Sequence, residues 1–99
     1  MKTQTKERIH LLIQDLDKTK NNSSADEETW NTITEIARLL EEDVETGSRT
    51  QGVLSDISAF GEDLLKKDQT ERDQMLQERM PEIDEYVSHL KKEADRSGV

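Results

Sequence analysis

The sequence contains no cysteine, which excludes disulfide bonds, thiolate metal sites and cysteine nucleophiles. Aromatic residues make up only 3% of the chain and glycine occurs 4 times, so there is little material for a concave ligand pocket. No glycine run resembles a phosphate-binding loop, and no serine stands in a glycine-flanked nucleophile elbow. The sequence therefore predicts no enzyme, no catalytic residue and no cofactor.

Long apolar runs are also missing. The first eight residues are polar, and the apolar stretch that follows them ends before Asp15. That stretch is too short for the apolar region of a signal peptide or for a membrane-spanning helix. The sequence therefore predicts a cytoplasmic protein with no membrane segment, and export without a signal peptide stays open as an alternative.

Basic residues are outnumbered, with 14 lysines and arginines against 23 acidic residues and a net charge of −9. This balance argues against binding to nucleic acids or anionic membranes, which require basic surface. It suits a partner protein with a basic surface, or solubility alone. Only 30% of the residues are hydrophobic, so the core is thin and a homo-oligomer is a second expectation.

The apolar residues that are present recur every three or four residues, which is the spacing of amphipathic helices. The inner faces comprise Ile9, Leu12, Ile13 and Leu16; Trp30, Ile33, Ala37, Leu40 and Val44; Val53, Leu54, Ile57, Phe60, Leu64 and Leu65; and Leu76, Met80, Ile83, Val87, Leu90 and Ala94. We therefore predict an all-α antiparallel bundle of about four helices. It forms a single domain over residues 1–99, with frayed ends at about 1–4 and 96–99.

Helix boundaries are marked by three capping patterns, in which a polar side chain accepts a hydrogen bond from the start of the helix. They begin at Ser24, Ser48 and Asp68. The stretch from Lys18 to Ser24 lacks apolar residues, and its last four residues, 21–24, are predicted as a loop. Pro81 predicts a break or kink in the last helix, with a short helix near 69–79 and a final helix near 82–96.

Gly61 lies on the inner face of the third segment. Since a glycine on a buried helix face usually marks a close approach of two helices, we predict a packing role for Gly61 rather than a functional one.

The segment over residues 25–46 carries most of the acidic excess. Acidic residues gather near the C-terminal end of its helix, where the helix dipole disfavours anions. Acidic residues that oppose the helix dipole, with no evident compensating contact nearby, suggest a function. We therefore predict a partner-binding surface made of Glu41, Glu42, Asp43, Glu45, Leu39 and Trp30. The alternatives are that these acids pair with Lys2, Lys6 and Arg8 or have no role, and that Trp30 anchors the core.

A metal site is not predicted. Glu85, His89 and Glu93 recur at four-residue spacing on one helix face, but metal sites usually take ligands from more than one element. We expect these three residues to form a solvated face, and His10 to lie at the boundary of the first inner face.

In outline, a cysteine-free acidic helical chain of 99 residues with a central turn resembles the Trp-X-Gly family of secretion partners. This resemblance implies a helical protein that pairs lengthwise with another helical hairpin. The motifs depart from the family, since Asn31 and Thr32 follow Trp30 without a glycine, and Leu90 stands where the tyrosine motif at Tyr86 requires an acid. Bacteriocin immunity proteins are similar in size and helical character, again without a matching motif.

These observations lead to two functional hypotheses. The first is a non-enzymatic protein-binding module, such as an adaptor, inhibitor or regulator, that acts through an acidic helical surface. The alternative is a structural or secretion-partner protein that pairs with itself or with another helical hairpin.

Overall fold

A computed structural model describes residues 3–43 and 45–97, with side chains described through residue 95. The described residues form five α-helices and no strand: α1 Thr3–Asn22, α2 Glu27–Glu41, α3 Ser48–Leu65, α4 Gln69–Glu78 and α5 Met80–Ser97. The prediction of an all-α protein is confirmed. The expected number of about four helices is too low, because the break near Pro81 yields two separate helices.

The junction between α4 and α5 is a single residue, Arg79. Its N–H donates to the Met75 carbonyl at 3.0 Å, and its carbonyl accepts from Ile83 N at 3.1 Å. Pro81 is the second residue of α5, where its missing N–H costs little because the first N–H groups of a helix have no partner within it. The chain therefore restarts the helix so that proline falls in the first turn, where it is tolerated.

The four long helices form a closed ring, in which α2 contacts α1 and α3, and α5 contacts α1 and α3. Cross-helix pairs show that neighbours run in opposite directions. Lys20 pairs with Asp84 and Lys91 with Asp17 between α1 and α5. The short helix α4 contacts α3 and α5. It lies at the end of the ring where α1 leads into α2.

The buried apolar residues form one cluster inside this ring: Ile9, Leu12, Ile13, Leu16, Ala25, Trp30, Ile33, Ala37, Leu40, Leu54, Ile57, Phe60, Leu64, Leu76, Ile83, Val87, Leu90 and Ala94. Most are the residues predicted from the helical spacing. Val53, Leu65 and Met80 are only partly buried against the cluster. Val44, which was also predicted to face inward, lies outside the described residues.

The closest packing is between α2 and α3. The Trp30 and Phe60 rings meet edge to face, with centroids 5.4 Å apart. A Cβ atom at Gly61 would overlap Thr34 Oγ1 and lie 3.2 Å from Thr34 Cβ. The predicted packing role of Gly61 is therefore confirmed, since no larger residue fits between these helices without displacement.

The end of α1 differs from the prediction. The helix continues two residues into the expected loop, to Asn22, and the connection starts only at Ser23. The predicted start of the loop at Asn21 is too early because the last turns of α1 gain tertiary contacts that an apolar count misses. Thr19 is buried, and Lys20 Nζ lies 2.5 Å from Asp84 Oδ1 on α5.

Two of the three predicted capping patterns are wrong. Asp26, not Ser24, caps α2 by accepting from Thr29 N at 3.1 Å. The N-cap of α3 is Gly47, without a side-chain hydrogen bond, so Ser48 is already the first residue of the helix. The third pattern is confirmed, because Asp68 Oδ1 accepts from Glu71 N at 2.9 Å. At α2, where Ser24 and Asp26 are both capable of capping, the pattern alone does not select the cap.

Among the described residues, no helix is both long enough and apolar enough to cross a membrane.

Candidate protein-binding surface

The acidic group predicted at the end of α2 is divided by the structure. The helix ends at Glu41, so that Asp43 and Glu45 lie in the turn that leads to α3. One carboxylate oxygen of Asp43 accepts from the Thr5 hydroxyl on α1, and the other accepts from Glu45 N at 2.9 Å. Asp43 therefore connects the turn to α1.

The same turn is held by further hydrogen bonds. The Asp43 carbonyl accepts from the Thr46 hydroxyl at 2.8 Å. Glu41 Oε1 accepts from the Ser58 hydroxyl on α3 at 3.3 Å. Glu41 and Asp43 are therefore engaged within the fold. The sequence offered the bases near the start of α1 as alternative partners. Of these, Lys2 lies outside the described residues.

The outward side of α2 carries acids of a different kind. Glu28 and Glu35 on α2 and Glu42, its C-cap, recur every seven residues. Because the backbone of Glu42 keeps right-handed helical angles, φ −84° and ψ −9°, the three lie near one line along the helix. All three are exposed, and among the described residues their side chains have no hydrogen bond or ion pair. Leu39, which is 42% exposed, follows Glu35 by one helical turn. We call these four residues the acidic outer face.

The basic residue of α2 does not neutralise this face. Arg38 forms an ion pair with Glu62 on α3. Its charge is therefore already opposed by an acid on the neighbouring helix. The outer face keeps its negative charge in the isolated chain.

A shallow groove between α1 and α2 extends the acidic outer face toward the start of α2. The groove has a volume of about 230 Å³ beside Glu28 and is lined by Asp15, Lys18, Asp26, Glu28, Thr29 and Thr32. Partial burial raises the pKa of Asp15 above its ordinary value, and the nearby Lys18 lowers it by less. With three carboxylates against Lys18, the lining of this groove keeps an acidic excess beside the outer face.

The predicted surface residues thus separate into three groups. Leu39 and Glu42 lie together on the acidic outer face. Glu41 and Asp43 are engaged in the fold, and Glu45 is half-buried in the same turn with its N–H donating to Asp43. Trp30 is fully buried, as the core-anchoring alternative expected. Its Nε1 has no hydrogen-bond partner among the described residues. Trp30 therefore offers no surface to a partner in this conformation.

Sequence reasoning missed Glu28 and Glu35. The signal was present, because both share a helical line with Glu42 at seven-residue spacing. The prediction instead used the acids that are neighbours in sequence at the end of the helix. Neighbours in sequence point around a helix, while residues seven apart share a face.

The face that carries Glu85, His89 and Glu93 is not uniformly solvated, which corrects the expectation. Glu85 is exposed, but His89 is half-buried with its Nε2 3.0 Å from the Thr50 hydroxyl. Glu93 is buried. The reason is that α5 turns this face toward the start of α3. No group of three potential metal ligands occurs in the described part of the chain.

Comparison of this chain with protein-family models, with curated proteins and with solved structures gives no match. The fold and the surface chemistry are therefore the basis for inferring a function.

Proposed function

We propose that this protein is a small non-enzymatic protein-binding module whose acidic outer face on α2 binds a basic surface of another protein. The observation that carries the proposal is the line of unpaired, exposed carboxylates at Glu28, Glu35 and Glu42, with the exposed Leu39 beside it. Like charges roughly 10 Å apart at the surface repel one another only weakly in salt, so this face costs the fold little.

The spacing of these residues supports a helical partner. With a rise of about 1.5 Å per residue, successive carboxylates lie roughly 10 Å apart along α2. A partner helix with lysines or arginines at seven-residue spacing would meet them in register, with an apolar residue against Leu39. Charge complementarity of this kind accelerates association and selects the partner more than it raises affinity. The proposal therefore includes a salt-dependent rate of association.

Affinity capture from the native host tests the proposal. The variant that reverses the face is Glu28→Lys, Glu35→Lys and Glu42→Lys combined. We expect the wild-type chain to recover a partner with a basic surface, and the variant to lose it. Recovery should also fall as salt is raised, because exposed charges are screened.

A matched control separates the face from net charge. Glu7→Lys, Glu85→Lys and Asp95→Lys combined change the net charge by the same amount, at exposed acids on α1 and α5. This control should recover the partner like the wild type. Equal loss in both variants, or equal recovery by all three chains, would remove the acidic outer face as the binding surface.

Pairing with a second copy is the alternative function. The observation that favours it is that Leu11 and Leu39, on the neighbouring helices α1 and α2, are 50% and 42% exposed. Sedimentation over a range of protein concentrations distinguishes the two functions. A concentration-dependent dimer that dissociates on Leu11→Ser and Leu39→Ser substitution would support self-pairing. A monomer at all concentrations would exclude it.

A further inference from the structure

The short helix α4 is attached to the bundle differently from the long helices. Of its 10 residues, only Arg72 and Leu76 are buried, and Met75 is partly buried against the core. Each long helix, by contrast, contributes several fully buried apolar side chains. Apolar burial therefore contributes little to the attachment of α4.

Polar side chains of α4 hold it to the connection between α1 and α2. Asp73 Oδ1 accepts from Ala25 N at 2.9 Å and from the Ser24 hydroxyl at 3.2 Å. Arg72 Nε donates to the Ala25 carbonyl at 3.0 Å, and Gln69 Nε2 donates to the same carbonyl at 3.2 Å. We call these contacts of Gln69, Arg72 and Asp73 with Ser24 and Ala25 the clasp.

The guanidinium of Arg72 gains little from its burial. Its hydrogen bonds go to neutral oxygens, the carbonyls of Ala25 and Lys67 and the Gln69 side chain, and its charge also interacts with the neighbouring Asp73 carboxylate. A buried charge forfeits its hydration, and neutral acceptors compensate only part of that loss. The closed clasp is therefore held by polar contacts that water can replace, and Arg72 regains its hydration when the clasp opens.

Both ends of α4 allow it to move as a unit. It is joined to α3 by the turn at residues 66–68 and to α5 by the single residue Arg79. At Arg79 the backbone leaves helical geometry, with φ −104° and ψ 10°. Pro81 just beyond it removes one N–H from the helical ladder. Opening of the clasp thus does not require any long helix to unfold.

We infer that α4 is a latched flap, which the clasp holds over the end of the bundle and which opens while the four long helices stay folded. Opening uncovers Ala25 and Leu76, both fully buried in the closed form. It presents an apolar surface at this end of the bundle, separate from the acidic outer face. The inference does not depend on the proposed function.

Native-state hydrogen exchange of the full chain tests the flap. We expect the hydrogen-bonded amides of α4 to have protection factors at least about tenfold lower than those at the middle of α1, α3 and α5, because the flap opens below the free energy of global unfolding. Equal protection in α4 and the long helices would overturn the inference.

Two substitutions on α4 separate the clasp from the helix itself. Asp73→Ala removes the acceptor of two clasp hydrogen bonds and should lower protection in α4 by about tenfold, with protection in the long helices unchanged. Glu78→Gln also removes one negative charge from α4, outside the clasp, and should leave α4 protection unchanged. An equal effect of both variants, or a uniform effect of Asp73→Ala on all helices, contradicts the flap.

A substitution far from the flap supplies the reverse test. Ile9→Val weakens the core near the start of α1, at the other end of the bundle. It should lower protection in the long helices and leave α4 unchanged, because local opening does not report global stability. A parallel loss in α4 would show that α4 opens only when the whole chain unfolds.

Discussion

The inner and outer faces of α2 differ in how far the fold uses their side chains. The inner face packs so closely on α3 that Thr34 leaves no room for a side chain at Gly61. The outer face carries Glu28, Glu35 and Glu42 without a partner among the described residues. One face of a single helix is therefore committed to the fold, and the other is available to something outside it.

This difference shows why total acidity is a poor guide to function. Asp43 and Glu41 belong to the same acidic segment, yet their carboxylates accept hydrogen bonds from α1 and α3. The surface that remains free is set by the direction in which each side chain points. Substitutions on the two faces should consequently separate stability from binding.

The largest effect is expected on the inner face. Gly61→Ala should lower the free energy of unfolding by about 1–3 kcal/mol, because its Cβ would overlap Thr34 Oγ1. Urea denaturation measures the loss. Adding Thr34→Ala should restore part of it by removing the overlapping hydroxyl.

Gly52, in the same helix, is the matched control. A Cβ there meets nothing within 4 Å, so Gly52→Ala should raise the free energy of unfolding by about 0.5–1 kcal/mol. If Gly61→Ala stabilised the protein as Gly52→Ala is expected to, that result would contradict the close contact between Gly61 and Thr34 on the inner face.

The next largest effect is expected at Asp43, in the turn that follows α2. Asp43→Ala leaves the Thr5 hydroxyl and Glu45 N without their acceptor and should cost about 1–2 kcal/mol. Asp43→Asn keeps one acceptor oxygen and should cost less. If Asp43→Ala melted at the same temperature as the wild type, the hydrogen bonds of Asp43 would not stabilise the fold.

Neutralising the outer face should hardly change stability. Glu28→Gln, Glu35→Gln and Glu42→Gln combined should alter the free energy of unfolding by less than about 0.5 kcal/mol. The favourable charge lost at Glu28, in the first turn of α2, offsets the unfavourable charge removed at Glu42, its C-cap. Thermal melts at low salt measure this change. A marked loss would mean that these acids have structural partners.

The smallest effect is expected at Asp15, in the groove beside the acidic outer face. Because burial raises its pKa above 3.8, the folded chain binds this proton more tightly than the unfolded chain. Stability is therefore lost as pH rises through 3.8 to the folded pKa, and the loss persists at neutral pH. Asp15→Asn should then stabilise the protein slightly at pH 7 and not at pH values well below 3.8.

Chemical denaturation at the two pH values measures the Asp15 effect. A gain of the same size at both would show that the Asn side chain, and not the missing charge, is responsible.

The helical periodicity of the sequence predicted the all-α class and most of the core, because one buried side per helix imposes that spacing. It also predicted the packing role of Gly61. The end of α1 was missed because Lys20 gains an ion pair with α5 that no local pattern contains. The N-cap of α2 was missed because Ser24 is instead bonded to Asp73 on α4.

The candidate surface was predicted only in part. Glu42 and Leu39 were named from the sequence, whereas the engagement of Asp43 with Thr5 depends on how α1 lies against the turn. The burial of Trp30 likewise depends on α3, through Phe60. Partner binding, the lack of enzymatic activity and a cytoplasmic location remain predictions.

The most direct test of the acidic outer face is to map the contact with the captured partner. Amide resonances of the isotope-labelled chain are followed while the partner is added. If the acidic outer face binds the partner, we expect the largest amide shift changes at Glu28, Glu35, Leu39 and Glu42, with small changes along α5. Changes that are largest on α5 and absent from these four residues would contradict it.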